Sequence, residues 1–192
     1  MKSKLHIITI LILFSISSYS QAPAWEWAKR SYGSNISSTL DGYGNEAYSM
    51  AADALGNVYV TGYFLSSTII FDHDTLINSS GNNDVFLVKY DKDGNVLWAR
   101  SFGGSSDDEP LSIAVDKNGN AYVAGYFLSP QLIFGNDTLI DSNNHSDVLL
   151  CKFDLNGNAL WARHSNGTAN DMANSVAVDN SGNIYCSSPL ID

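Results

Sequence analysis

The chain is poor in positive charge, with 10 Lys+Arg against 20 Asp+Glu in 192 residues, and charged residues make up only 16% of it. So little positive charge argues against a nucleic-acid partner, because the phosphate backbone is held chiefly by Lys and Arg. Two cysteines and four prolines are too few for a small disulfide-stapled scaffold or a proline-rich linker. No window after the first twenty residues sustains an apolar period of 3.6, which excludes a helical bundle. No apolar run reaches the roughly 20 residues that a membrane-spanning helix needs. What fills the chain instead is Asn, Ser and Gly between short β-branched and aromatic runs, a composition for turns and strands.

The one long apolar run, Leu5–Ile16, follows Lys2 and Lys4 and precedes the small residues Ser18 and Ser20. That layout is expected of a signal peptide spanning residues 1–20 and cut before Gln21, the alternative being a retained anchor. No Cys follows the run to accept a lipid. The mature chain is expected to be secreted or held at the cell surface, with no membrane span. Loss of Lys2 and Lys4 leaves 8 Lys+Arg against 20 Asp+Glu, a net charge of −12.

A 63-residue period organises the rest. Asp53, Asp116 and Asp179 keep that step, as do Gly56, Gly119 and Gly182, and so do Trp98 and Trp161. Residues 53–100 laid on 116–163 without a gap are identical at 28 of 48 positions. Such a period marks stacked or radial repeats. Each unit holds four strand-like runs: in the second these are "PLSIAVD", "NAYVAGYF", "DVLLCKFD" and "ALWARHS". Tight Gly/Asn turns join the first run to the second and the third to the fourth. In "DVFLVKYD" both alternating faces are apolar, so the strand must be covered on both sides. Sheets packed face to face around an axis do this, whereas a β-sandwich leaves one face of each sheet to water. The fold class is therefore all-β: β-propeller blades of four antiparallel strands, with an added hairpin between the second and third strands ("TIIFDHDTLI", repeated as "QLIFGNDTLI").

Asp91 and Asp93 in "DKDGN" are a weak alternative as metal ligands. Gly in this loop comes at position four rather than six, so an EF-hand does not fit, and turn chemistry accounts for them. Cys151 and Cys186 step back along the period to Val88 and Val60. Both are thus expected as apolar strand positions rather than as a disulfide pair.

The strings "SIAVDKNGNAYVAGYF" and "DVLLCKFDLNGNALWAR" resemble the bacterial β-propeller repeat family known as SBBP, itself similar to NHL repeats. The resemblance covers roughly Trp25 to Cys186. It implies a multi-bladed ring in exported bacterial proteins, commonly of seven blades, and it brings no catalytic residues. The pattern departs after Cys186, where "SSPL" stands in place of the "TGYF" motif.

Counting strands, Trp25–Tyr32 reads as an orphan outer strand, because Trp27-Ala28-Lys29 stands where Trp98-Ala99-Arg100 does. The expected division is a signal peptide (1–20), then an orphan strand and loop (25–52). Repeat unit 1 (53–100), unit 2 (101–163) and a partial unit 3 (164–192) follow. This amounts to about two and a half blades of an incomplete ring, read as the N-terminal part of a longer product or as a truncated reading frame.

The tight turns share one rim, and the long loops share the other, where binding is expected. Candidates there are Asp72, His73 and Asp74 at the hairpin tip, Asp107, Asp108 and Glu109 in one interblade loop, and Asp171 in the next. A carboxylate cluster could hold a cation or a sugar hydroxyl, although solvated turns are the simpler reading. His73 is replaced by Asn136 in the next unit, and His145 and His164 have Asn82 and Ser101 as counterparts, which favours turn or surface roles. The tripeptides Asp74-Thr75-Leu76 and Asp137-Thr138-Leu139 are similar to bacterial O-glycan acceptor sites, and they also read as Asp-capped turns. No catalytic constellation, metal ligand set or cofactor motif appears. The expected function is an exported, non-enzymatic binding or structural module for a protein or carbohydrate ligand. The alternative is the N-terminal part of a propeller lyase or glycosidase whose active site lies in further blades.

Overall fold

The computed structural model describes residues 27–29, 32–34, 44–78, 80–165 and 167–188. The expected signal peptide and cleavage site lie outside these residues. Fifteen strands follow one another, and no helix occurs among the described residues. Strands β1 (Tyr32–Ser34), β2 (Asn45–Ala52), β3 (Val58–Phe64), β4 (Thr68–Phe71), β5 (Asp74–Ile77), β6 (Asp84–Tyr90) and β7 (Val96–Phe102) make the first part. The second unit repeats it as β8 (Asp108–Val115), β9 (Ala121–Phe127), β10 (Gln131–Phe134), β11 (Asp137–Ile140), β12 (Asp147–Phe153) and β13 (Ala159–His164). Strands β14 (Ser175–Val178) and β15 (Ile184–Ser187) begin a third.

Two four-stranded antiparallel sheets result, ordered β2-β3-β6-β7 and β8-β9-β12-β13, with β14-β15 as a two-stranded start of the next. The hairpins β4-β5 and β10-β11 leave their sheets between the second and third strands. This is the all-β architecture of incomplete propeller blades that the period implied. The first strands of successive sheets lie against one another, which puts β2, β8 and β14 on the inner side. Tyr32–Ser34 pairs with Thr68–Ile70 of the first hairpin, while Trp27–Lys29 takes no regular strand.

The turns explain why the sequence repeats "D-x-x-G-N". The Asp91 carboxylate accepts the N–H of Asp93 and Asn95 with one oxygen and the Asn95 amide with the other, at 2.8 to 2.9 Å. Gly94 supplies φ +82°, the left-handed conformation that closes the turn. Asp154 binds Asn156 and Asn158 in the same way. The carboxyl groups of Asp91 and Asp154 are held below the usual range, for Asp91 chiefly by the Asn95 bonds.

Both faces of the sheets are buried where blades meet. All seven residues of β6 are buried, including Phe86 and Leu87. The main core lies between the first and second blades: Tyr59, Leu87 and Trp98 of one face pack on Val123, Leu132, Phe134, Leu149 and Phe153 of the other. A smaller core joins Tyr122 and Ala124 to Ala173 and Val176 of the third. Cys151 is fully buried and its thiol is pushed up by desolvation. Cys186, expected at a covered position, is exposed instead, because β15 has no further strand beside it among the described residues. Both cysteines are free thiols.

One contact repeats from blade to blade. The Trp98 indole donates to the Leu155 carbonyl at 3.1 Å and covers Gly157, where an added Cβ would meet the ring at 2.8 Å. Trp27 does the same one blade earlier, donating to Lys92 and covering Gly94 at 2.9 Å. Trp27 therefore occupies the place of an outer-strand Trp from a preceding blade. Glycine is required at both turns, once for φ and once for the ring.

Candidate functional site

The hairpin-tip residues prove to be fasteners. Asp72 has φ +48°, where the second unit has Gly135 at +58°, so this position turns the chain. Its carboxylate meets Lys29 at 3.2 Å. Asp74 accepts the Ala99 N–H at 2.8 Å, and Asp137 accepts that of Ala162 at 2.9 Å. Each carboxylate thus satisfies a backbone donor on the edge strand of its own blade. His73 is exposed, 3.8 Å from the Asp74 carboxylate.

The interblade loop divides in two. Asp108 is fully buried and accepts from the Gly104, Leu128 and Ser129 backbone N–H groups and from the Ser129 hydroxyl, between 2.7 and 3.2 Å. In the first blade Asn45 binds Leu65 and Ser66 in the same manner. Asp107 accepts the Asn83 N–H at 2.9 Å, as Asn170 accepts that of Ser146. Asp171 occupies the position equivalent to Asp108 one blade further on, and its N–H donates to the Ser146 carbonyl. It is not brought together with Asp107–Glu109. Glu109 is different: it sits at the surface end of β8, accepts the Asn83 amide at 2.8 Å and faces Tyr126 across the strand pair.

Around Glu109 lies a patch that position-by-position reading missed. Glu46 and Tyr63 are register partners on β2 and β3, and Glu109 and Tyr126 are theirs on β8 and β9. Each tyrosine lies within the field of its glutamate's charge. Desolvation, then the charge of Glu46, pushes Tyr63 up to about 12, and Tyr126 is raised further by burial and Glu109. Tyr48, at a β-bulge in the first strand, is half exposed and packs on Tyr63 with ring centroids 5.7 Å apart. Its hydroxyl also acts electrostatically on Tyr126, so the patch bridges two blades. The available signal was the Glu–Tyr coincidence at the 63-residue step, 46 with 109 and 63 with 126. It was hidden because the two members of a pair lie 17 residues apart and meet only across strands.

Chemically, the patch offers the Glu46 and Glu109 carboxylates beside the Tyr48 and Tyr126 rings, with Tyr63 buried beneath Tyr48. That combination receives hydroxyl, amide or cationic groups. Among the described residues no group of three or more His, Cys, Asp or Glu could hold a metal ion. No helix there is long and apolar enough to cross a membrane.

Radial four-stranded sheets, repeated interblade contacts and a loop rim define a β-propeller repeat module. Residues 97–126 match the family described as beta-propeller repeat, SBBP, and are a repeat of that family. The chain is also 32% identical over 158 residues, 80% of its length, to the regulatory protein FlaEY of Caulobacter vibrioides. It is 29% identical over 150 residues, 70% of its length, to an uncharacterized WD repeat-containing protein of Acanthamoeba polyphaga mimivirus. It spans only 16% and 11% of the lengths of these two relatives.

Proposed function

We propose that this chain is an exported binding module without catalytic machinery of its own, which presents its long-loop rim to a protein or carbohydrate ligand. The observation that carries the reading is the Tyr48, Tyr126, Glu46 and Glu109 patch on the first two strands of adjoining blades, seated on the buried Tyr63. It rests on a rigid scaffold, as ligand-binding surfaces of repeat proteins commonly do. Export rests on the leader pattern of residues 1–20. The excess of Asp and Glu favours ligands with hydroxyl, amide or basic groups over polyanions.

The competing reading, part of a propeller lyase or glycosidase, requires a carboxyl kept protonated near neutrality and facing a second one across a pocket. The described carboxyl with that property, Asp84, is buried and faces Asp108 between the blades. The groups raised at the rim are the tyrosines. This favours binding over hydrolysis.

The test is calorimetric titration of the chain with neutral oligosaccharides and with Lys/Arg-rich peptides, alongside Tyr48→Ala and Glu109→Gln. Binding at the patch should weaken in both variants with the melting temperature unchanged. A ligand whose affinity neither variant alters would remove this surface from consideration, and turnover of an oligosaccharide would restore the enzyme reading.

A further inference from the structure

The loops that lead from the added hairpin to the third strand are built alike in the two blades and differ at one atom. In the first blade Asn78 opens the loop. Its N–H donates to the Ser67 carbonyl at 3.0 Å, and its Oδ1 accepts the Ser80 N–H at 3.1 Å. Its Nδ2 donates to two carbonyls at once, those of Phe64 and Asn82. One amide group thus ties the end of β3 to the far side of the loop, with two hydrogens aimed at two oxygens.

One period later the same place is held by Asp141. Its N–H donates to the Pro130 carbonyl at 3.1 Å, and its Oδ1 accepts the Asn143 N–H at 2.8 Å. Pro130 and Asn143 are the period equivalents of Ser67 and Ser80, so the backbone and Oδ1 are placed alike in both blades. Gly81 and its equivalent Asn144 both turn the loop at positive φ, +77° and +56°, which carries the likeness through the bend. The Asp141 Oδ2 therefore stands in the place of the Asn78 Nδ2, toward the carbonyls of Phe127 and His145, the equivalents of Phe64 and Asn82. Asp141 is 6% exposed, and its Oδ2 is sealed from solvent and meets no hydrogen-bond donor among the described residues. Oxygens gather where the first blade places hydrogens. A buried carboxylate without a partner is costly. A proton on Oδ2 would serve a single carbonyl, because a carboxyl hydroxyl has one hydrogen. A cation serves all three oxygens together.

We propose that the Asp141 carboxylate, with the Phe127 and His145 carbonyls, holds a calcium ion. Carboxylate and backbone carbonyl oxygens are the donors that calcium takes, and water completes its shell of about six to eight where the protein offers fewer. Water has access, because Ser142, Asn143, Asn144 and His145 are all exposed. Magnesium demands stricter octahedral geometry, and softer metals favour sulfur or imidazole, so neither suits these donors as well. The excess of Asp and Glu over Lys and Arg draws cations to the surface. Two of the three protein ligands are backbone atoms, which is why no cluster of acidic side chains marks the site. In the second blade the ion does what the Asn78 amide does in the first, tying β9 to the loop after β11. The site stands apart from the tyrosine–glutamate patch and does not rest on it.

Melting of the full chain decides it, in potassium buffer after a chelator has removed divalent ions. Calcium at about 10 mM, roughly a hundred times the Kd of the tighter extracellular calcium modules, should raise the melting temperature by roughly 5–10 °C. Equilibrium dialysis should count one ion per chain. Asp141→Asn rebuilds the first-blade arrangement, so it should melt no lower than the chelated wild type, lose the calcium shift and bind no ion. The converse exchange, Asn78→Asp, should raise the count to two. Asp93→Asn, in an exposed turn, should leave shift and count unchanged. A wild type unmoved by calcium, a shift that Asp141→Asn retains, or an equal shift from sodium or magnesium at the same ionic strength overturns the proposal. So does a count that stays at one in Asn78→Asp, or a shift that Asp93→Asn abolishes.

Discussion

Asp84→Asn should stabilise this protein, and only above mildly acidic pH. Asp84 begins β6 at the joint between the first two blades, is 8% exposed, and its Oδ1 has no hydrogen-bond partner. Burial, followed by the nearby Asp108 charge, pushes its carboxyl from 3.8 up to about 7. A carboxyl whose folded value lies above its unfolded one holds its proton more tightly in the fold. Its favourable contribution is complete below pH 3.8, declines as pH rises, and above about 7 the ionised group is a full penalty. At 1.36 kcal/mol per pH unit, the rise from 3.8 to about 7 has a ceiling of about 4 kcal/mol. Asparagine keeps the shape and removes the charge, but its own amide must also find partners, which costs about 1–3 kcal/mol if it does not. The net gain expected at pH 8 is about 1–3 kcal/mol, turning into a loss of up to about 2 kcal/mol at pH 4, where the charge penalty has gone and the amide cost remains. Urea denaturation of both proteins at pH 4, 6 and 8 reads this difference directly, and other titrating groups cancel in it. A loss of stability at pH 8, or a gain of equal size at all three values, would refute the reasoning. Asp147, the period equivalent of Asp84, accepts from the Ser165 hydroxyl at 3.1 Å and lies 3.5 Å from His164, so its Asn variant should bring no such gain.

Three further outcomes follow from the interblade contacts and turns. Gly157→Ala combines φ +79° with a Cβ 2.8 Å from the Trp98 ring and should cost about 2–4 kcal/mol by thermal melting, whereas Gly182→Ala, at φ +86° in open space, should cost only about 1–2. Tyr59→Phe removes a buried bond to the next blade and should cost about 1–2 kcal/mol, more than Tyr122→Phe, whose hydroxyl bonds only within its own blade, to Asp116 at 3.1 Å. For Asp116, burial pushes the carboxyl up but the bonds from Asn120, Asn118 and Tyr122 outweigh it and hold it below 3.8. Its contribution is present above that value and lost as pH falls below it, so Asp116→Asn should flatten the acid limb of the stability profile.

The blades were legible because turn chemistry and strand burial are local. Asp91, Gly94 and Asn95 close their turn with groups four residues apart, and the all-apolar β6 announces cover on both sides. The candidate residues were harder to read. Asp74 and Asp108 look like surface carboxylates until their acceptor roles toward Ala99 and Ser129 are known, and those partners lie 25 and 21 residues away. Cys186 followed its period to an apolar position, yet exposure depends on a neighbouring strand that no single position records.

What the sequence by itself determined is the unit: its 63-residue length, its turns, and the apolar positions on each strand. These depend on contacts within a few residues or on repetition, and both survive in one dimension. Only the tertiary structure decided which repeated carboxylates fasten the fold and which reach the rim, and where equivalent side chains are buried or bare. Those properties depend on what stands across a strand pair or on the adjoining blade, and identical residues such as Tyr59 and Tyr185 acquire opposite surroundings there.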